Sequence, residues 1–187
     1  PDAKAQYREL LSQPKRLEIL LNIFAGSQFL ADTLVKHPEF FEWVTTPAIM
    51  NHLRTKDAIL NDLRTIQEET PSHEEWLDQL RHFRKKEILR IGTRDICLQV
   101  PVQDVYRELS CLADAIVEVS LERLMQLICT PEEKDLFDFT ILAFGKLGGR
   151  ELNYSSDIDL VGIFRVKDPA TSANRETAQR KSKKCME

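Results

Sequence analysis

Two aspartates separated by one residue, Asp157 and Asp159, are the strongest candidates for chemistry in this sequence. The apolar run IDLVGIF at residues 158–164 overlaps them and has the composition of a buried strand. Because residues two apart in a strand share a face, both carboxylates should project together while Ile158 and Leu160 turn into the core. Mg²⁺ prefers carboxylate oxygens, and two such ions about 4 Å apart stabilise both reacting oxygens in nucleotidyl transfer.

A glycine-rich segment precedes the aspartates and follows a second apolar run, FDFTILAF at residues 137–144. This run is rich in aromatic and β-branched residues, which predicts a buried strand that enters a turn. Glycine lets the backbone approach a triphosphate closely, and amide and hydroxyl groups donate hydrogen bonds to phosphate. The candidate phosphate-binding residues are therefore Gly145, Gly148, Gly149, Ser155 and Ser156.

The D-x-D pair alone is weak evidence, because surface strands and turns often carry two neighbouring acids. The sequence context strengthens the interpretation, since a strand and a glycine turn come shortly before the pair. Glu151 is a further acid beside it. A general-base role for Glu151 competes with a structural role in capping the loop.

The chain changes character near residue 130. Residues 1–130 have helical patterns, including an S-x-x-E capping box at Ser72 that opens a helix over 72–91, which Gly92 should end or bend. An earlier stripe of Leu17, Leu20, Leu21 and Phe24 ends at Gly26, and Ser27 is a natural N-cap for the helix that follows. The clearest helix follows Pro101, with one apolar face formed by Val102, Val105, Leu109, Leu112, Ile116 and Val119. We therefore predict an α+β protein with a domain boundary at residue 130.

The overall composition limits the classes of partner. The net charge of the 187 residues is −4, which favours neither nucleic acid nor a membrane surface. No apolar run approaches the length of a membrane span, and the N-terminus lacks a signal-peptide pattern, so we expect a cytoplasmic protein. No C-x-x-C pair or metal-ligand spacing occurs, so the sequence predicts reduced thiols and no zinc site. This prediction covers Cys97, Cys111, Cys129, Cys185, His37, His52, His73 and His82.

Basic residues cluster on the predicted helix 72–91 and just beyond it. They could meet a phosphate or an acidic protein face, but neighbouring opposite charges favour an ordinary solvated helix. The cluster contains Arg84, Lys85, Lys86, Arg90 and Arg94. The basic segment 175–184 is likewise expected to be a solvent-facing helix.

The spacing of strand, glycine turn and D-hydrophobic-D-hydrophobic resembles the DNA polymerase β-like nucleotidyltransferases. Residues 131–187 would then contain the start of that superfamily's α/β palm, and Asp157 and Asp159 would hold its two Mg²⁺ ions. Phe144-Gly145-Lys146 occupies the position of the hydrophobic-Gly-Gly/Ser signature. Lys146 therefore joins the expected nucleotide-binding residues by position, while the superfamily's serine contact to phosphate does not carry over.

The continuous string GKLGGRELNYSSDIDL at residues 145–160 resembles the glutamine synthetase adenylyltransferase family in particular. SQFLADTLVKHPEFFEWV and LRHFRKKEILRIGTRDI are similar to the family's helical region. The resemblance implies glutamine synthetase as protein substrate, a modified tyrosine, ATP or ADP with phosphate as small substrates, and a nitrogen-regulatory signalling protein as a further partner. Members usually contain an AMP-adding and an AMP-removing unit. The order of segments and Asn153-Tyr154-Ser155-Ser156 resemble the N-terminal, AMP-removing unit, and the direction of reaction stays open.

The resemblance also implies a third catalytic aspartate in a D-L-R-L-R-P-like strand, which nothing after Leu160 matches. Asp168 and Glu176 are the nearest later acids, and both lie in polar sequence without a strand pattern. The chain is therefore expected to be either a fragment of a longer enzyme or a non-catalytic module that docks glutamine synthetase or a signalling protein. Transfer to another acceptor, such as an antibiotic or an RNA end, finds no support in the helical region.

Overall fold

The computed structural model describes residue 9, residues 12–167 and residues 172–185. Its helices are α1 (Pro14–Gly26), α2 (Gln28–Lys36), α3 (Phe40–Val44), α4 (Pro47–Met50), α5 (Lys56–Glu69), α6 (His73–Leu98), α7 (Val102–Ile128), α8 (Pro131–Lys134), α9 (Gly145–Gly148) and α10 (Ser172–Lys184). Its strands are β1 (Phe137–Phe144) and β2 (Asp159–Val166). The predicted mostly helical α+β class is confirmed, whereas the domain boundary at residue 130 stays a prediction.

The long helices α6 and α7 form the centre of the helical region, with α5 packed on α7 and α1 packed on α6. The predicted apolar face of α7 is largely confirmed, because Val105, Leu109, Leu112 and Val119 are all buried. Val102 is an exception with about half its surface exposed, since it is the first residue of the helix. The apolar period of α7 therefore marks a packing surface.

Helix α1 ends at Gly26, as predicted, but its buried face differs from the expected stripe. Leu21 and Phe24 are exposed, whereas Ile23 is completely buried. The predicted N-cap Ser27 is confirmed, because its hydroxyl accepts a hydrogen bond from the Leu30 amide. The local signals therefore predicted the end of α1 and the cap of α2, whereas only part of the expected stripe, including Leu20, packs against the core.

Gly92 does not end helix α6, which continues to Leu98. A Cβ atom at Gly92 would lie 2.5 Å from Leu30 Cδ1, closer than two carbon atoms can pack. The glycine therefore permits the close approach of α2 to the middle of α6. Gly92 therefore serves tertiary packing. The helix continues through it because a glycine inside a helix lowers helix stability only modestly relative to alanine.

A buried ion-pair network joins α6 to α7, and it overturns the prediction that Arg90 and Arg94 are solvated. Arg90 is fully buried, with Nε 2.8 Å from Glu87 Oε2 and Nη2 2.6 Å from Glu108 Oε1. Arg94 Nε donates to Glu108 Oε2 at 3.2 Å. Buried charges of this kind are stable only when they are paired, because removal from water costs several kcal/mol per ion.

The same network extends to the connection between α4 and α5. Arg54 contacts Glu87 and also Asp62, and Arg94 donates to the backbone carbonyl of Met50. The Arg54 amide donates to Glu108 Oε1 at 3.3 Å. Although burial disfavours the charged form of Arg54, the Glu87 and Asp62 carboxylates raise its pKa above the ordinary value.

Strands β1 and β2 form an antiparallel pair, and together they make the whole sheet of the described residues. Their bounds agree with the predicted strands at 137–144 and 158–164 to within two residues. Ile158 and Leu160 do not turn into the core as predicted, since each has about two fifths of its surface exposed. A two-stranded ribbon has no second layer over both faces, so its apolar side chains remain partly exposed. That further palm strands exist stays a prediction.

Helix α10 is not the freely solvated helix that the sequence predicted. It packs on β2, with Ala178 fully buried against Cys129 and Phe137. Lys181 Nζ lies 2.8 Å from Glu133 Oε2. The small residue Ala178 allows this close packing despite the basic character of the segment. Of the two later acids, Glu176 is exposed on α10, and Asp168 lies outside the described residues.

The four cysteines are free thiols, as predicted. Burial raises the pKa of each thiol above its ordinary value, so the thiols stay protonated at neutral pH. No helix of the described residues is both long enough and apolar enough to cross a membrane.

We predict that Glu108→Gln lowers the free energy of unfolding by about 3–5 kcal/mol, because Arg90 and Arg94 would keep their buried charges without a carboxylate partner. Urea denaturation followed by circular dichroism measures the change. Asp78→Asn is the matched control, since Asp78 pairs with Arg81 on the exposed face of α6. An unchanged midpoint in Glu108→Gln would show that the network does not stabilise the fold.

Candidate active site

The pairing of β1 with β2 brings the glycine turn against the second aspartate. Phe144, the last residue of β1, lies opposite Asp159, the first residue of β2. Gly145 follows directly with a φ of +56°, a conformation that L side chains rarely adopt. A Cβ atom there would also lie 2.8 Å from Asp159 Oδ2. Glycine is therefore required at position 145 both for the backbone and for contact with the carboxylate.

Asp157 precedes β2 by two residues, so only Asp159 belongs to the strand from which both were predicted to project. Both side chains are exposed. Within the described part of the chain neither carboxylate forms an ion pair or a hydrogen bond, which leaves their oxygens available to a ligand. Exposed and unpaired carboxylates fit the oxygen-donor chemistry of Mg²⁺.

One buried residue anchors the glycine turn to the hydrophobic core. Leu147 belongs to the main hydrophobic core, while Lys146 is exposed. A Cβ atom at Gly148 would lie 2.5 Å from the carbonyl oxygen of Ala143, so the turn packs directly on the end of β1. The Gly149 amide donates to the Gly145 carbonyl at 3.0 Å. Gly149 is therefore engaged within the turn and is not a free donor for phosphate.

The loop before the aspartates is organised by Asn153. Its Oδ1 accepts hydrogen bonds from the Ser156 hydroxyl at 2.6 Å and from the Ser155 amide at 3.2 Å. Ser156 is half-buried, whereas Ser155 is exposed. Of the two serines predicted to contact phosphate, Ser155 is the more accessible, and Ser156 mainly shapes the loop.

Two hydrogen bonds attach this loop to the long helices. The Leu152 amide donates to Ser110 Oγ on α7 at 3.4 Å, and the Leu152 side chain is buried. The Tyr154 hydroxyl donates to Asp95 Oδ2 on α6 at 3.1 Å. Burial and the neighbouring Asp95 carboxylate both raise the pKa of Tyr154 above its ordinary value, so this hydroxyl stays protonated and keeps its donor role.

A cavity of about 460 Å³ opens beside the loop. No motif in the sequence predicts it. The junction of α1 and α2, the middle of α6 and the loop itself form its walls. It is lined by Gly26, Ser27, Phe29, Leu30, Gly92, Asp95, Ile96, Tyr154 and Ser155. Gly26 and Gly92, which the sequence pattern marks as possible helix ends, are the residues in the sequence that indicate this close packing.

The described residues supply no third ligand that would complete a three-residue metal site with Asp157 and Asp159. They do contain one such cluster elsewhere, formed by His37, Glu39 and His82. The sequence shows no metal-ligand spacing for these histidines, because they lie on separate helical segments. Only the packing of α6 beside the α2–α3 connection brings them together.

We predict that Gly145→Ala destabilises the protein by about 1–2 kcal/mol, because a left-handed backbone at a residue with a Cβ atom costs that much. The new methyl group should also displace the Asp159 carboxylate. Gly149→Ala is the matched control, since φ is −80° there and a Cβ atom would meet nothing closer than 3.6 Å. Chemical denaturation of both variants measures the difference, and equal stabilities would contradict the contact.

The arrangement of strand, glycine turn and exposed aspartates agrees with a comparison against protein families. The family model described as glutamate-ammonia ligase adenylyltransferase matches residues 17–184, which covers the helices as well as the turn and both strands. Glutamate-ammonia ligase is glutamine synthetase, so the match confirms the family that the 145–160 segment resembles. The chain belongs to the glutamate-ammonia ligase adenylyltransferase family.

Proposed function

We propose that the turn and loop at residues 145–159 form the nucleotide-binding part of an active site that transfers AMP to or from glutamine synthetase. The observation that carries this proposal is the contact between Gly145 and the Asp159 carboxylate, next to a second exposed aspartate at position 157. The unpaired Asp159 carboxylate against the Gly145 backbone, with a second exposed aspartate two residues earlier, provides a place for a metal–phosphate group. Family membership supports AMP as the transferred group.

Asp157 and Asp159 are the residues that would hold Mg²⁺. When bound, the metal neutralises phosphate charge and stabilises the entering and leaving oxygens. The protein's own contribution is to leave both carboxylates exposed and without a cation partner in the described chain, so that a cation can bind them. The lack of a side chain at Gly145 lets the backbone of the turn lie against the Asp159 carboxylate.

Phosphate binding is assigned to the start of the turn. The amides of Gly149 and Arg150 already donate to Gly145 and Leu147 carbonyls, while amides in the first turn of a helix lack internal acceptors. The exposed Ser155 hydroxyl, whose hydrogen bond to Asn153 Oδ1 is long at 3.4 Å, is the second donor. Lys146 is exposed in the same turn and adds a positive charge that favours a nucleotide.

In the AMP-removing direction, inorganic phosphate attacks the phosphorus of the AMP group, and the bond to the tyrosine oxygen breaks. That oxygen takes up a proton, so ADP leaves and the unmodified tyrosine of glutamine synthetase remains. In the adding direction, the tyrosine oxygen attacks the α-phosphorus of ATP and pyrophosphate leaves. The segment Asn153–Ser156 resembles the AMP-removing unit and supports the first direction. A cytoplasmic location and a nitrogen-regulatory signalling partner complete the proposal.

A second candidate function is docking of glutamine synthetase without catalysis. The observation that favours it is the incomplete ligand set, since the described residues bring no third acid to Asp157 and Asp159. In this case the helical region would carry the function and the aspartates would be dispensable.

We predict that Asp157→Asn and Asp159→Asn each lower the rate of AMP transfer or removal at least about a hundredfold, because metal-held charge stabilisation supplies several kcal/mol of the barrier reduction. Unfolding free energies should stay unchanged, since neither carboxylate has a partner in the described chain. The assay incubates the protein with AMP-modified glutamine synthetase, Mg²⁺ and phosphate, or with the unmodified enzyme, Mg²⁺ and ATP. The mass of the synthetase reports the reaction.

Asp138→Asn is the matched control, because Asp138 lies at the far end of the same sheet and pairs with Arg165 and Lys167. It should retain activity. Wild-type rates in both Asp157→Asn and Asp159→Asn would contradict the assignment of these residues to a metal site. An inactive wild-type chain that still binds glutamine synthetase would instead support the docking function.

A further inference from the structure

Two histidines that are far apart in the sequence, His37 and His82, both lie close to the Glu39 carboxylate at the connection between α2 and α3. His37 directly follows α2, Glu39 directly precedes α3, and His82 lies on α6. Glu39 Oε1 is 3.2 Å from His37 Nδ1 and 3.5 Å from His82 Nε2. One potential ligand atom from each residue lies within 4.8 Å of the other two.

The two separations from Glu39 Oε1 match the edges of a tetrahedral metal site. Zinc binds imidazole nitrogen and carboxylate oxygen at about 2.0–2.2 Å, so neighbouring ligand atoms in a tetrahedron lie about 3.3–3.5 Å apart. The two measured separations lie at or within about 0.1 Å of that range. Two histidines and one carboxylate are also a ligand set that zinc sites use, with water in the fourth position.

Packing orients both imidazoles before any ion binds. Phe40 is almost completely buried, and its ring stacks on His37 at a centroid distance of 4.9 Å. The same ring meets His82 edge-on at 4.7 Å. The backbone of His37 is fixed as well, because its amide donates to the Thr33 carbonyl and its carbonyl accepts from the Phe40 amide. An ion would therefore find ligands whose rotamers are already restricted.

The cluster is accessible from solvent. The side chains of His82 and Glu39 are 43% and 57% exposed, so an ion and its fourth, water ligand can reach the site. The acid and the imidazoles also contact one another without an ion, because each imidazole can donate an N–H to Glu39. A direct binding measurement distinguishes a cluster that binds an ion from one that is only hydrogen-bonded.

We propose that His37, Glu39 and His82 bind one Zn²⁺ ion that links the α2–α3 connection to α6. The site is separate from the aspartate pair at 157 and 159 and differs from it in chemistry. Imidazole nitrogen selects zinc and similar transition metals, whereas a pair of carboxylates suits Mg²⁺. The ion would stabilise the packing of the helical region.

The test is calorimetric titration of the metal-depleted full chain with ZnCl₂. The Asp157→Asn/Asp159→Asn variant serves as the background, so that zinc held by those carboxylates does not contribute. We expect one ion per chain, and Co²⁺ in place of Zn²⁺ should give the intense visible absorption of a tetrahedral site. Thermal unfolding should shift upward with zinc, because binding to the folded state alone stabilises it.

His82→Ala and Glu39→Gln, each in this background, should weaken zinc binding at least about tenfold, since even indirect partners of metal ligands change affinity by about 10–100-fold. His52→Ala is the matched control, because His52 is exposed and lies outside the cluster. It should bind zinc like the background protein. Equal affinities in all three variants, or binding of zinc no tighter than millimolar in the background protein, would overturn the proposal.

Discussion

The pairing of buried charges between α6 and α7 is the constraint on which the arrangement of this molecule depends. Glu108 contacts Arg90 and Arg94, and Glu87 contacts Arg90 and Arg54, so each charge has a partner of opposite sign. A shift of one helical turn between α6 and α7 would leave several of these charges buried and unpaired, at a cost of several kcal/mol each. The network therefore selects one register of the two long helices, which apolar contacts alone would specify less strictly.

That register also determines where the candidate active site lies. The loop before the aspartates is held by Ser110, two residues after Glu108, and by Asp95, the residue after Arg94. The strand pair alone is too small to position catalytic groups, because two strands are marginally stable in isolation. The helical region thus orients the loop, and the loop leads into β2, whose first residue Asp159 lies at the edge of the glycine turn.

Local sequence signals predicted what depends on near neighbours. The bounds of β1, the cap at Ser27 and the glycine turn before the aspartates follow from propensity and from backbone chemistry, which act within a few residues. Contacts between distant segments were not predictable in this way. The sequence predicts a solvated Arg90 because its partner Glu108 lies on another helix. It predicts an end or a bend at Gly92 because the neighbouring Leu30 is distant in the sequence. The meeting of His37 with His82 has the same origin.

The charged residues of this chain therefore divide by what surrounds them. The buried carboxylates of Glu87 and Glu108 each contact an arginine, so the fold itself uses their charge. Asp157 and Asp159 are exposed and have no cation partner among the described residues, so folding gains nothing from them. Gly145 also accepts an unusual backbone conformation directly against Asp159. A glycine in the left-handed region beside an exposed and unpaired carboxylate fits the proposed binding of a cation and phosphate at this position.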